Sequence, residues 1–180
     1  MTITFDLVLG TVKCIYKNIV LGKKLKINSY IRMSRTASIK ARKGSVISIG
    51  KASSLSSHSV VSATENAVIQ IGHHTGVNYN SVIVARDRII IGDNVMIGPN
   101  VAIYDHDHKF NNQGIIRNQG YSTMPVYIGD NVWIGAGVII LKGVRVGNGT
   151  VIGAGTIVTH DIPENSVVYD KREIAIKSRS

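Results

Sequence analysis

Residues 126–158 read V-Y-I-G-D-N, V-W-I-G-A-G, V-I-I-L-K-G, V-R-V-G-N-G, T-V-I-G-A-G, T-I-V. An aliphatic residue recurs at every sixth position (Ile128, Ile134, Ile140, Val146, Ile152, Val158), and Gly follows four of them. A period of six fits neither a helix nor simple strand alternation. It fits a short strand and a turn, with three such units closing a triangular coil. Stacked coils bury a continuous aliphatic column, and their backbones pair at about 4.8 Å. Gly after each inward residue is expected to supply turn conformations that other residues resist.

Working outward, the same phase appears at Ile91-Gly92, Ile97-Gly98 and Ile103. It is looser at Ile71-Gly72 and Val77, at Ile49-Gly50 and Leu55, and at Ile27, Met33 and Ile39. Coils then begin at Ile27, Ile49, Ile71, Ile91, Ile128 and Val146. Between Ile91 and Ile128 the step is far too long for one coil, so residues 104–125 must leave the repeat as a loop. That loop is rich in His, Asp, Asn, Gln and Gly, and long loops in compact domains are usually functional. The expected fold is all-β: a parallel β-helix over residues 25–168, an N-terminal segment 1–24 and a tail 169–180.

Before the repeat, Phe5, Val8, Val12, Ile15 or Tyr16, and Ile19 follow helical spacing, which predicts an amphipathic helix over 4–21. Its expected role is to cap the open end of the β-helix, since an uncovered edge invites aggregation. The sharper reading is contact with a membrane surface. Cys14 lies in this helix as a small packing residue.

The chain has 180 residues, 44% hydrophobic and 18% charged, which suits one domain with a sizeable core rather than disorder. No long uncharged apolar run offers a membrane span. Asp6 inside the first apolar stretch, without a basic segment before it, argues against a secretory signal and for a cytoplasmic protein. The single Cys leaves no intramolecular disulfide and no multi-thiolate zinc site. Net charge is +10, and residues 1–51 carry eleven Lys or Arg against Asp6 alone. Such a segment attracts anions, including a membrane surface, nucleic acid or an anionic substrate, or simply keeps the protein soluble. Aromatics are only 6% of the chain and are not arranged as stacking platforms, which disfavours nucleic acid.

At these hexapeptide units the sequence resembles the left-handed β-helix acyltransferases, in particular the small galactoside, maltose and capsular-polysaccharide O-acetyltransferases. The most specific stretch is Val126–Pro163, ending in I-V-T-H-D-I-P. The resemblance implies a left-handed helix, a homotrimer, and acetyl-CoA in the groove between neighbouring β-helices, with no metal required. It also implies a catalytic His in the long loop. In V-A-I-Y-D-H-D-H that position falls on His108, seven residues after Val101, with His106 as the alternative. The V-N-Y-N stretch resembles the acceptor-binding segment and implicates Asn78. The acidic acceptor residue of the galactoside branch falls on Arg86, which suits an acidic sugar or a phosphate-bearing carrier. Trp133 matches the Trp beside the CoA arm. Gly135, Ala136, Gly153 and Ala154 match the backbone that holds acetyl-CoA, and Lys142, Lys171, Arg172 and Lys177 are candidate partners of its phosphates.

Chemistry supports a His here without the family. Acetyl transfer to a hydroxyl needs a base near neutral pH, and imidazole titrates there. Asp105 and Asp107 are candidates to orient it, and Asp105 is also a candidate acceptor contact. The expected activity is therefore acetyl-CoA-dependent O-acetylation of a bacterial surface-polysaccharide sugar or its precursor, by direct transfer. Alternatives are an N-acetyltransferase on a nucleotide-linked amino sugar, a metal-dependent hydratase of the γ-carbonic-anhydrase type, and a non-enzymatic glycan-binding scaffold. His58, His73, His74 and His160 read as structural or exposed.

Overall fold

The computed structural model describes residues 16, 20, 24–27, 30–111, 113–171 and 176–178. Three parallel sheets enclose one core. The first contains Leu25–Ile27, Val46–Ile49, Val68–Ile71, Arg88–Ile91, Val126–Ile128 and Arg145–Val146. The second runs from Arg32–Met33 through Met96–Ile97, Trp133–Ile134 and Val151–Ile152 to Val167–Val168. The third runs from Ser38–Ala41 through Val82–Ala85, Ala102–Tyr104 and Ile139–Ile140 to Ile157–Val158. The chain visits first, second and third sheet in turn, and one circuit is one coil.

Hexapeptide spacing forms this fold because it returns an aliphatic residue to the inside once per face. Ile27, Ile49, Ile71, Ile91, Ile128 and Val146 stand in register as one ladder. Ile39, Val61, Ile83, Ile103, Ile140 and Val158 form another. Nearly all these side chains are buried, so truncating one to Ala costs about 2–5 kcal/mol through lost transfer energy and an unfilled cavity. Buried hydroxyls tie successive corners: Ser53, Thr75 and Ser81 each donate to a glycine carbonyl one coil on. Those groups are buried but partnered, as a stable interior requires.

The glycines that follow the inward residues serve a different purpose from the one expected. Gly72 and Gly135 do not have positive φ. A Cβ on Gly72 would lie 2.5 Å from the Gly92 carbonyl carbon, and one on Gly135 would lie 2.6 Å from the Ala154 nitrogen. Close approach of coils excludes a side chain there. Left-handed turn positions fall instead on residues such as Asn66, Asn80, Asn94, Asn100 and Asn131, where a short polar side chain tolerates that backbone.

The predicted helix over 4–21, including Cys14, lies outside the described residues apart from Tyr16 and Val20, which are exposed. No helix among the described residues is long and apolar enough to cross a membrane.

Candidate active site

Each coil turns three corners, and the third-to-first corner is where the repeat breaks. In the earlier coils this corner stacks regularly. The Arg42 N–H donates to the Ala63 carbonyl at 3.0 Å and the Thr64 N–H to that of Ala85 at 2.9 Å. At the next step a side chain replaces the backbone acceptor. Asp105, fully buried, accepts the Arg86 N–H at 2.8 Å and the Asp87 N–H at 2.7 Å. The same carboxylate holds His106 Nδ1 at 2.9 Å. Facing a carboxylate, which can only accept, Nδ1 is the donor.

From Asp105 the chain leaves the helix as an antiparallel hairpin of His106–His108 against Tyr121–Thr123. It rejoins through Met124, whose N–H donates to the Asp105 carbonyl. Strand alternation puts His106 and His108 on one side. Both meet Tyr121, with ring centroids 5.7 Å and 4.4 Å away. His106 is also edge-on to Tyr104. The His106 side chain is 14% exposed, whereas His108 lies open on the surface. The Arg86 guanidinium covers the Tyr121 ring at 3.2 Å. One corner therefore gathers Arg86, Asp105, His106 and His108 around a tyrosine that no sequence reading singled out. Tyr121 is found only through the hairpin register, because nothing in its local sequence announces that pairing.

Lys142 was a candidate for phosphate contact. Its Nζ instead bonds Asp107 at 2.9 Å and the Ser122 hydroxyl at 3.1 Å, fastening the hairpin to the next coil. Asp107, a candidate orienter of an imidazole, is thus engaged by a cation.

The other candidates stand elsewhere. Asn78, Gly135, Ala136, Gly153 and Ala154 all lie at the second-to-third corner. Asn78 Oδ1 accepts the Tyr79 N–H, and Asn78 lines a shallow groove of about 310 Å³ with Ser54, Ser56, Met96 and Trp133. Trp133 is 52% exposed and pairs in register between Met96 and Val151. The N–H groups of Gly135 and Gly153 donate to Ile152 and Val168, and the Ala136 carbonyl accepts from Gly155. These bonds hold coils together; Ala136 and Ala154 are exposed beside them, whereas Gly135 is buried and Gly153 half-buried. Lys171 and Lys177 are exposed in the tail, and Arg172 lies outside the described residues. Asn78 and the imidazoles thus sit on different corners of one chain. Among the described residues no group of three or more His, Cys, Asp or Glu side chains is placed to hold a metal ion.

Comparison with known proteins gives the same architecture. The family model for bacterial transferase hexapeptide (six repeats) matches residues 125–160, and that for the hexapeptide repeat of succinyl-transferase matches residues 88–104. A hexapeptide-repeat acetyltransferase of Vibrio cholerae O1 biovar eltor, solved with acetyl coenzyme A, is 31% identical over 68% of this chain and 65% of its own (TM-score 0.59). A galactoside acetyltransferase solved with coenzyme A is 30% identical over 87% of this chain and 66% of its own (TM-score 0.54). A maltose O-acetyltransferase of Clostridium difficile 630 is 26% identical over 91% and 83% (TM-score 0.50). The chain spans just under two thirds of the length of the first two. No curated protein matches the chain.

Proposed function

This chain belongs to the left-handed β-helix family of hexapeptide-repeat transferases, and on that footing we propose that it is an acetyl-CoA-dependent O-acetyltransferase acting on a sugar of a bacterial surface polysaccharide or its precursor. The observation that carries the reading is the imidazole pair on the hairpin rooted by Asp105, at the one corner where the repeat is interrupted. Acetyl coenzyme A bound to one of the similar structures and coenzyme A bound to another support the donor.

In this mechanism His108 is the general base. Its ring is open to both substrates and rests on Tyr121. His108 takes the proton of the acceptor hydroxyl as that oxygen attacks the thioester carbonyl carbon. The tetrahedral intermediate collapses, the carbon–sulfur bond breaks, and the CoA thiolate recovers the proton from His108. No acyl-enzyme forms. Asp105 and His106 position the strand that presents His108, and His106 shares the Tyr121 ring. Trp133, Ala136 and Ala154 flank acetyl-CoA, and Asn78 contacts the acceptor. The resemblance implies a homotrimer, and the placement of Asn78 and His108 on different corners of one chain suits a site shared between neighbouring subunits.

The test is calorimetric titration of acetyl-CoA into the full chain, followed by thiol release with sugar acceptors. His108→Ala should bind acetyl-CoA like the parent and lose about 10²–10⁴-fold in turnover. Activity retained by His108→Ala but lost by His106→Ala would move the base to His106. No binding of acetyl-CoA to folded protein would overturn the transferase reading. Amino sugars accepted in preference to their hydroxyl counterparts would replace O- by N-acetylation.

A further inference from the structure

The third-to-first corner carries a cationic column that the transfer step does not use. Arg42, Thr64 and Arg86 follow one another at the same corner of three successive coils, directly below the hairpin root. With Glu65, Tyr121 and Thr123 they line a cleft of about 370 Å³. The lining thus holds two arginines and one acidic residue, and Glu65 is exposed.

Arg86 is the informative member. Its guanidinium carbon lies 3.2 Å from the Tyr121 ring centroid, so the ring holds the group in place. Its Nε is buried and has no hydrogen-bond partner among the described residues. A buried donor without an acceptor is costly, most of all on a charged group. The Asp105 carboxylate, which accepts the Arg86 backbone N–H, is already engaged by two backbone N–H groups and His106. Any ligand in the cleft would therefore meet the outer N–H groups of Arg86, held over an aromatic ring, with Arg42 as a second cation, and among the described residues no acceptor engages the Arg86 side chain. A carboxylate or phosphate supplies two coplanar oxygens of the required geometry, and such charge-assisted, bidentate pairs are the strong ones.

We propose that Arg86 and Arg42 bind an anionic group, carboxylate or phosphate, carried by the acceptor, and so select an acidic or phosphorylated sugar over a neutral one. This rests on the transferase reading above for the word acceptor, but the anion site itself does not. Tyr121 connects the two: its ring touches Arg86 and both imidazoles. An acceptor anchored through its anion on Arg86 would hold its hydroxyls beside His106 and His108.

Saturation-transfer NMR on the full chain tests this without turnover, using methyl β-glucuronide, glucose 1-phosphate and methyl β-glucoside. Both anionic sugars, or whichever one the cleft prefers, should bind at least about tenfold more tightly than the neutral glucoside. Arg86→Met and Arg42→Met should each remove most of that preference while acetyl-CoA titration stays at the parent value. Arg42 is exposed, so its replacement tests the site without disturbing the fold, and Arg86→Lys should restore only part of the preference because the fork is lost. Equal binding of the neutral and anionic sugars, or anion binding unaffected by either Met variant, would overturn the proposal. Anion binding that depends on Arg86 in a protein that never binds acetyl-CoA would keep this site and sink the transferase reading instead.

Discussion

Two corners of the same coil have been put to opposite uses. At the second-to-third corner, Asn78, Gly98, Gly135 and Gly153 stack coil on coil, and backbone groups satisfy one another throughout. At the third-to-first corner the stack runs through Arg42, Thr64 and Arg86 and then stops, with the Asp105 carboxylate standing where a backbone carbonyl would be. The first arrangement is rigid because every step repeats the last. The second is rigid because one side chain accepts from three donors at once, and that substitution frees the chain to leave, form a hairpin and return. In this solenoid the Asp105 carboxylate seals the coil at the point where the hairpin leaves it.

The strongest way to break this comparison is Asp105→Ala. It leaves two backbone N–H groups and His106 Nδ1 without their acceptor, and each such loss costs about 1–3 kcal/mol when buried. We expect a total cost of about 2–5 kcal/mol in denaturant unfolding and cleavage of residues 105–124 by protease well before the coils. A hairpin as resistant as the parent's would show that the seal lies elsewhere.

Gly135→Ala attacks the regular corner instead. The added Cβ meets the backbone of the next coil, so we expect a loss of about 1–3 kcal/mol, read as a lowered melting temperature. Asn94→Gly, at a left-handed turn position, should change stability by only a few tenths of a kcal/mol. If the two substitutions behaved alike, turn conformation rather than coil spacing would govern the glycines.

Trp133→Ala should have the smallest structural effect, since the ring is half exposed and outside the core. We expect near-parental stability with weaker acetyl-CoA affinity in calorimetry. Unchanged affinity would remove the indole from the donor site.

Legibility followed the same division. Every first-sheet ladder position from Ile27 to Val146 is readable from the period alone, because an inward aliphatic must recur once per face. The two histidines and Asp105 were also visible, as polar residues in the only stretch that leaves the period. Their relationships were not. Asp105 joins Arg86 and Asp87, nearly a full coil earlier, through hydrogen bonds that no spacing rule encodes. Lys142 reads in the sequence as a candidate phosphate partner, and the folded hairpin brings Asp107 and Ser122 to it.

The amino-acid sequence by itself determined the coil, the ladder of buried aliphatics and the place where the excursion starts, because burial once per six residues is a local, periodic requirement. Tertiary structure alone decided which carboxylate holds which imidazole, that Tyr121 lies beneath Arg86, and that Asn78 stands on a different corner from His108. Those facts depend on how coils stack and how the hairpin folds back. Side-chain chemistry across a stack is set by registers between segments that are distant in the chain, and a period within the chain carries no record of them.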